Sequence, residues 1–552
     1  MRHVFLIGLS GSGKSTVGRI LAQRLERPLL DVDALIEQEY GERIPAIFAR
    51  HGEAHFRSLE ARILAQAIQQ PVDAIIVTGG GIVVRPENRS LMAQSGVRVF
   101  LHVDPQVSLT RLQAQHAREQ QQGQVLEIRP LLSGVDPLAN LQQMLMARDA
   151  WYREAEYICF TQEKPAEQVA LEIMTMLGES PSFAHVPPIT RPVHVGTGYD
   201  AVVDWGGLVR LADYLKQLQL PPRVFIVTDS NIHNLYIPTL LPQLTAAGFE
   251  PQVYTIPAGE GSKSQQQLFA LYDWLLEQHA ERREALVALG GGVVGDLVGF
   301  VAATYLRGVP LIQIPTSLLA QVDSAIGGKT GINHPRGKNL IGAFYHPRLV
   351  LADPSTLLSL PARSRIEGWA EIVKYGIILD AELFDLLEAH ANALRDFSQP
   401  PVALLCRIIA RCIDIKVKVI EEDEREQGQR AILNYGHTFA HALENASGYG
   451  EWLHGEAVSL GMVVAAELAW EAGLFEQQDL MRQNRLLAAL GLPIAYTGTV
   501  HAQDILAAMQ LDKKVVGKRV RWIMPRQIGK VEITTMPDEL VERVITTFMG
   551  EK

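Results

Sequence analysis

Short apolar runs alternate with stretches whose apolar positions recur every three or four residues through most of the first two thirds of the chain. His3 to Gly8 is the first run, and Val17, Ile20, Leu21 and Leu25 follow at helical spacing, which predicts a strand and then a helix. Further runs at Ala74 to Thr78 and Val97 to Val103 lie between helical patterns. Runs without a polar alternation are buried on both faces, so a parallel sheet covered by helices is predicted. Arg223 to Thr228, Gln252 to Ile256, Ala285 to Leu289 and Leu311 to Ile314 repeat the pattern as a second α/β region. From about Pro361 the period changes. Ile366 to Ile378, Val402 to Glu421 and Gly455 to Glu471 predict long helices, with Gly and Pro punctuation between them. Gln-rich Gln113 to Gln124 predicts a polar loop.

The 552 residues exceed what one hydrophobic core supports, since cores stop growing near roughly 250–300 residues. Glu179 to Pro192 reads ESPSFAHVPPITRP, with four prolines in fourteen residues, a composition that excludes a helix and favours an extended tether. The expected division is therefore residues 1–178 as an α/β domain, 179–190 as a Pro-rich linker, 191–358 as a Rossmann-like α/β domain, and 359–552 as a mainly α-helical domain. Lys and Arg number 51 against 61 Asp and Glu, a formal charge of −10. A general affinity for nucleic acid or an anionic membrane is excluded on that balance, so anionic ligands must be captured locally. Three cysteines, Cys159, Cys406 and Cys412, are too few for a disulfide framework, which suits a reducing compartment. No run approaches a membrane span, and Val4 to Ile7 is too short for a signal peptide. A cytoplasmic protein is expected.

Gly8-Leu9-Ser10-Gly11-Ser12-Gly13-Lys14-Ser15 stands between the first strand and the first helix. This phosphate-loop pattern lets backbone N–H groups and the positive end of a helix face a phosphate, while Lys14 adds charge and Ser15 can ligate magnesium. Asp31 and Asp33 alternate at strand spacing after Leu29-Leu30, which places both carboxylates on one side near a strand end. One suits magnesium and the other a substrate hydroxyl proton. Arg57, Arg129 and Arg148 offer planar guanidinium groups for carboxylate or phosphate.

Residues 1–178 resemble the shikimate kinase family. The matching pieces are the phosphate loop, Asp31-Val32-Asp33, Gly52 to Arg57 with Glu60, Gly79-Gly80-Gly81, Arg129-Pro130-Leu131-Leu132, and Arg148 shortly before Tyr152. The resemblance implies a P-loop parallel-sheet kinase that uses ATP with Mg. Gly11, Ser12, Gly13, Lys14, Ser15 and Thr16 would hold ATP, with Arg129 in a lid over it. Ser15 and Asp31 would support magnesium. Shikimate would lie on Asp33 and the Gly79, Gly80, Gly81 loop, its carboxylate held by Arg57 and Arg148.

Farther on, Gly290-Gly291-Gly292-Val293-Val294-Gly295-Asp296 lies between a strand run and a helical run, the order a pyrophosphate needs for close backbone approach. Asp229, Asn231, Glu260 and Lys263 follow strand ends with groups suited to ribose and adenosine. His437 and His441 share a helix face, and His454, Glu456 and Glu371 add ligand chemistry for a catalytic zinc. Spacing leaves open which three residues bind. Lys329, Lys338, Lys374, Lys416, Arg430, Lys513 and Lys514 are numerous cations for so acidic a chain.

From about Arg191 to the carboxy terminus the sequence is similar to the 3-dehydroquinate synthase family. The similarity rests on the Gly290 to Asp296 turn, Pro315 to Leu319, Asp323 to Thr330, Gly337-Lys338-Asn339, Glu371 with Lys374, Asn434 to His441, and Leu453 to Glu456. It implies Glu371, His437 and His454 as ligands of zinc or cobalt. NAD contacts fall on Asp229, Asn231, Glu260, Lys263, Gly291, Gly292, Val293, Asp296, Thr316, Ser317, Lys329 and Lys338. Substrate contacts fall on Arg307, Asp323, Lys329, Asn339, Lys374, Lys416, Arg430, Asn434, His441 and Lys514. Lys14 and Asp33 in the first half, and Lys329, Lys374 and His441 in the second, are the expected catalytic groups.

Together the two resemblances imply a bifunctional enzyme of the shikimate pathway, phosphorylating shikimate at its 3-hydroxyl and converting 3-deoxy-arabino-heptulosonate 7-phosphate to 3-dehydroquinate. Homodimerisation through the second half is a further family expectation. A nucleotide-sensing first domain, a metal-dependent polyol dehydrogenase, and a cyclase of another sugar phosphate are the alternatives. Absence of ADP formation, net NADH accumulation, and loss of the His441, Lys374 and Arg430 set would mark them in turn.

Overall fold

The structure is a computed structural model and describes residues 3–121, 136–162, 164–177, 186–397, 400–426, 428–448, 450–516 and 520–550. The chain divides into two compact units, Met1–Ala184 with Asn234–Thr239, and His185–His233 with Leu240–Lys552.

The first unit is built on a five-stranded parallel sheet in the order Leu29–Asp31, Ile75–Val77, His3–Ile7, Gly96–His102, Tyr157–Phe160. Its central strand is buried along its whole length, as an apolar run covered on both faces must be. Phe5, Ile7, Phe56, Ile63, Leu64, Ile76 and Phe100 form the main core on one side. The central strand ends at Ile7, and helix Lys14–Arg24 starts after a six-residue turn.

Two expectations change here. Gln113 does not open a loop, because helix Pro105–Gln121 runs on through it. Glutamine is a fair helix former, and a polar sequence need not leave the helix when one face is already docked; residues 122–124 lie outside the described residues. Asp31 and Asp33 do not sit on one strand. The strand stops at Asp31, whose carboxylate accepts hydrogen bonds from the N–H groups of Asp33 (3.1 Å) and Ala34 (3.3 Å) and so starts helix Val32–Tyr40.

The second unit carries a seven-stranded sheet in the order Ile189–Val193, Tyr199–Val203, Leu349–Ala352, Leu311–Pro315, Ala285–Gly290, Arg223–Asp229, Glu250–Ile256. Only the first pair is antiparallel. Pro192 is tolerated because Ile189–Val193 is an edge strand. The chain order reverses between Arg223–Asp229 and Ala285–Gly290, which opens a crevice outside their carboxyl ends. A two-stranded hairpin, Lys329–His334 with Gly337–Phe344, leans on the preceding helix Gly292–Thr304. Beyond it come the helices Ala362–Ile378, Ala381–Arg395, Val402–Glu422, His437–Ala446, His454–Glu471, Gln477–Ala489, Ala502–Val516 and Asp538–Phe548, with a small antiparallel pair Trp522–Gln527 and Lys530–Thr534. Helix His454–Glu471 is apolar nearly all round and buried through most of its length, the centre of this region. Among the described residues no helix is long and apolar enough to cross a membrane.

Candidate active sites

In the first unit the phosphate loop depends on glycine at two points. Gly8 and Gly11 have φ of +142° and +79°, and a Cβ on either would fall 2.6 Å from Leu101 O or Ser108 Oγ respectively. Lys14 is buried under the loop and donates to the carbonyls of Gly8 (2.9 Å) and Leu9 (2.8 Å). Burial lowers its pKa to about 8 against the pull of Asp33 and Asp31. Ser12 is buried, while Ser15 and Thr16 stand exposed at the helix start, Ser15 Oγ reaching Asp31 Oδ2 at 3.2 Å.

Asp33 faces the opposite wall. Burial and the neighbouring Asp31 raise its pKa to about 6, and its Oδ1 has no hydrogen-bond partner. Gly79 is what lets that wall close, since a Cβ there would lie 2.7 Å from Asp33 Oδ1 and 3.1 Å from Glu60 Oε1. Glu60 is itself raised to about 7 by burial, although Arg57 Nη1 donates to its Oε2 at 2.9 Å. Arg57 is also forked onto Glu53, and its guanidinium lies so near Gly81 that any Cβ there would collide with it. Arg148 donates to Gly80 O at 3.0 Å, and Tyr152 donates to the same oxygen. The structure thus gathers Lys14, Ser15, Asp31, Asp33, Arg57, Gly79, Gly80, Gly81 and Arg148 around one cleft. Arg129 lies outside the described residues.

In the second unit the candidate dinucleotide residues converge because they all follow carboxyl ends of adjacent strands. Asp229 caps helix Ser230–Ala246 through the N–H of Asn231 (2.8 Å). Gly291 precedes helix Gly292–Thr304, whose first turn carries Val293, with Asp296 following at its fifth position. A Cβ on Gly291 would meet Ser317 Oγ at 3.6 Å, and Thr316 N donates to Gly290 O at 2.9 Å. Lys263 Nζ pairs with Asp296 Oδ2 (2.5 Å) and also donates to Asn339 Oδ1. Glu260 accepts from Asn333 at 2.7 Å. The hairpin therefore reaches this edge of the sheet.

The same hairpin reaches the histidines. Lys338 Nζ donates to Glu444 Oε1 at 3.2 Å, and Glu444 Oε2 stands 3.5 Å from His454 Nδ1. Glu371, His437 and His454 each offer one ligand atom, and these atoms lie within 4.8 Å of one another. Glu371 Oε1 is 3.6 Å from His437 Nε2 and 3.9 Å from His454 Nε2. Neither Glu371 oxygen accepts a well-formed hydrogen bond, although Lys374 Nζ sits against Oε2. His437 Nδ1 lies 3.1 Å from Tyr435 O, which makes Nε2 the nitrogen free to ligate. Burial and Lys374 hold the His437 pKa well below its usual value, so the ring stays neutral. Of the candidates that spacing left open, these three converge, His441 stands alongside with its ring 5.4 Å from that of His437, and Glu456 turns away to Arg363 and the N–H of Leu453.

Cations ring this cluster. Lys416 Nζ donates to Asp323 Oδ1 and O, both at 2.6 Å, and Tyr375 donates to the same carboxylate at 2.9 Å. Burial opposes ionisation of Asp323, but Lys416 and Lys374 hold its pKa well below the carboxylate range. Lys329 pairs with Glu426, which also accepts from Asn434 at 2.9 Å. Arg430 is buried, donating to Glu424 O and, at 3.4 Å, to Gly327 O. Arg307 is not brought in: it is exposed in the turn after helix Gly292–Thr304, at the far edge of the sheet from Gly290. Lys514 belongs to helix Ala502–Val516, but its side chain lies outside the described residues.

Comparison with known proteins decides the family. Residues 253–367 match the 3-dehydroquinate synthase N-terminal model and 368–515 the C-terminal one. The 3-dehydroquinate synthase of Desulforamulus reducens is 48% identical over 326 residues, 59% of this chain and 90% of the relative. The chain belongs to the 3-dehydroquinate synthase family. That of Gloeobacter violaceus is 44% identical over 364 residues, 66% of this chain and 99% of the relative. Ahead of the synthase region, residues 10–178 match shikimate kinase. Among solved structures, a 2-epi-5-epi-valiolone synthase from Streptomyces hygroscopicus with NAD+ and Zn2+ bound is 30% identical, covering 67% of this chain and 99% of that one, with a TM-score of 0.59. A 2-deoxy-scyllo-inosose synthase with carbaglucose-6-phosphate, NAD+ and Co2+ is 26% identical, covering 65% and 100%, also with a TM-score of 0.59.

Sequence reasoning missed Glu444 and Tyr375, which hold His454 and Asp323 in place. Glu444 follows His437 by seven residues and His441 by three, so helical spacing alone points to it.

Proposed function

We infer that this chain is a bifunctional enzyme of the shikimate pathway, a shikimate kinase joined to a 3-dehydroquinate synthase. The observation that carries the reading is the Glu371, His437, His454 cluster, set among buried lysines and joined by one hairpin to a Gly-rich dinucleotide crevice. A polyphosphate cradle with its own arginine pair stands on a separate unit.

The residues fit the groups these families use. Two imidazoles and a carboxylate with unsatisfied buried oxygens suit zinc or cobalt. Such a cation supplies Lewis acidity at the sugar's hydroxyls, and NAD supplies a reversible hydride acceptor. Around them the chain's own side chains act on 3-deoxy-arabino-heptulosonate 7-phosphate. Lys329, Asn339, Arg430 and Lys514 hold its phosphate and carboxylate; Lys374, Asn434 and His441 address its hydroxyls, with His441 moving a proton there. Asp323 keeps Lys416 aimed at the same space. Asp229, Glu260, Lys263, Asp296 and Thr316 hold NAD.

In the kinase unit, loop N–H groups and Lys14 stabilise the transferring phosphoryl, Ser15 and Asp31 support its magnesium, and Asp33 accepts the 3-hydroxyl proton of shikimate. Arg57 and Arg148 clamp the shikimate carboxylate, and Arg129 closes over ATP. The expected domain limits, 1–178, 191–358 and 359–552, are retained as part of this reading. A homodimer through the synthase half is supported by Leu340, Ile341 and Phe344, which stand 65%, 41% and 47% exposed on the hairpin strand Gly337–Phe344. Three free, buried cysteines suit the cytoplasm.

The test is phosphate release from the heptulosonate phosphate with substoichiometric NAD, together with ADP formation from ATP and shikimate by the same preparation. Stoichiometric NADH accumulation would replace the synthase by a polyol dehydrogenase.

A further inference from the structure

His346 belongs to none of the sets above, yet it is nearly enclosed. Its ring stacks at 6.0 Å on Tyr199 and fills a slot between two glycines in left-handed conformation. A Cβ on Gly196 would lie 3.1 Å from its Cδ2, and one on Gly328 would lie 2.8 Å from its Nδ1. Nδ1 is buried without a partner, while Nε2 lies 2.8 Å from Glu424 Oε1. Since a carboxylate only accepts, the proton is on Nε2.

Both ends of this contact lead to candidate substrate cations. Glu424 lies in the turn that follows helix Val402–Glu422, and its carbonyl oxygen accepts from Arg430. The other arm of Arg430 reaches Gly327 O, next to the Gly328 that shapes the His346 slot. Two residues past Glu424, Glu426 pairs with Lys329 and accepts from Asn434. Gly327 is tied in turn to the Tyr199 hydroxyl at 3.4 Å. At the start of this turn the Asp423 carboxylate accepts from the N–H groups of Gly428 (2.8 Å) and Arg430 (3.1 Å), and the next residue, Glu424, is held by His346.

We propose that His346 is a positioning residue of the synthase site, a latch that holds Glu424 and thereby sets Arg430 and Lys329 for the anionic groups of the sugar phosphate. The idea rests on the functional reading above for what Arg430 and Lys329 bind. Nε2 to Glu424 is the one side-chain hydrogen bond recorded for His346, so a leucine there gives up that bond while keeping the slot filled. The variants then separate positioning from filling of the slot.

The experiment measures the full chain as His346→Leu, His346→Gln and Glu424→Ala. The latch predicts that His346→Leu raises KM for the heptulosonate phosphate by about tenfold, the loss of one charge-assisted hydrogen bond. It leaves kcat within about twofold, NAD titration unchanged and Tm within about 2 °C. His346→Gln, which keeps a donor, returns KM towards the wild-type value. An unchanged KM in His346→Leu overturns the proposal, as does equal loss of Tm and activity in both histidine variants. Should His346→Leu fail to fold, the half-exposed Glu424→Ala decides on the same KM. Were the wild-type chain itself inactive on the sugar phosphate, the functional reading would fail first; the latch would then stand or fall on whether His346→Leu weakens binding of inorganic phosphate.

Discussion

The two pockets solve the burial of charge in opposite ways. In the kinase cleft Asp33 and Glu60 each keep an unpartnered buried oxygen and are pushed towards protonation, to about 6 and about 7, while Lys14 is turned back onto backbone carbonyls. In the synthase pocket Asp323 is driven the other way by Lys416 and Lys374, and nearly every cation already faces a carboxylate. A cleft that must receive a polyanion and a neutral ring hydroxyl holds its own charge low until they arrive. A pocket that must hold a dication and a charged sugar phosphate together keeps its charges paired and in place.

The largest expected effect comes from removing divalent cations. Chelation followed by magnesium alone should restore shikimate phosphorylation but leave the synthase at background, and zinc or cobalt should then return it. Recovery of both activities with magnesium alone would erase the distinction between the pockets. Next in size, Arg148→Ala should raise KM for shikimate by roughly 10- to 100-fold, the worth of a charge-assisted contact. ATP affinity and heptulosonate turnover should not change; equal loss of ATP binding would place Arg148 elsewhere. A smaller change is expected from Glu444→Gln, which weakens the hold on His454 Nδ1 and should lower zinc affinity by roughly tenfold. A competition titration against a metal indicator reads it directly.

The smallest effect is the pH dependence, and it has a sign in each unit. Asp33 must be ionised to accept a proton, so kcat/KM for shikimate should fall as pH drops through about 6. Because folding raises the pKa of Asp33 and Glu60, their contribution to stability is full below their unfolded values and is lost as pH rises through about 6 to 7. Asp323 is depressed, so its contribution is present above its unfolded pKa and is lost only in acid. Melting of the two units followed between pH 8 and pH 5.5 should therefore favour the kinase unit as pH falls. Parallel shifts in both would contradict the contrast.

Much of this was legible in the sequence for a physical reason: backbone chemistry leaves a local signature. The phosphate loop needs glycine at Gly8 and Gly11, Gly290 leaves no room for a Cβ beside Val294, and buried parallel strands must be apolar on both faces. What was not legible depends on distant partners or on competing local forces. Leu29–Asp31 is three residues long, too short to show a period, and its last residue, Asp31, also caps a helix that takes Asp33 off the strand. The Gln-rich stretch carries no apolar period, yet helix continues through it as far as Gln121. His346 and Glu424 are 78 residues apart in sequence, and nothing near either one announces the other.

One crossed measurement bears most directly on the account, with both reactions followed on the same purified samples of Lys14→Ala and His437→Ala. Lys14→Ala should lose ATP-dependent phosphorylation of shikimate and keep phosphate release from the heptulosonate, and His437→Ala should do the reverse. Loss of both activities in either folded variant would contradict two independent catalytic pockets on one chain.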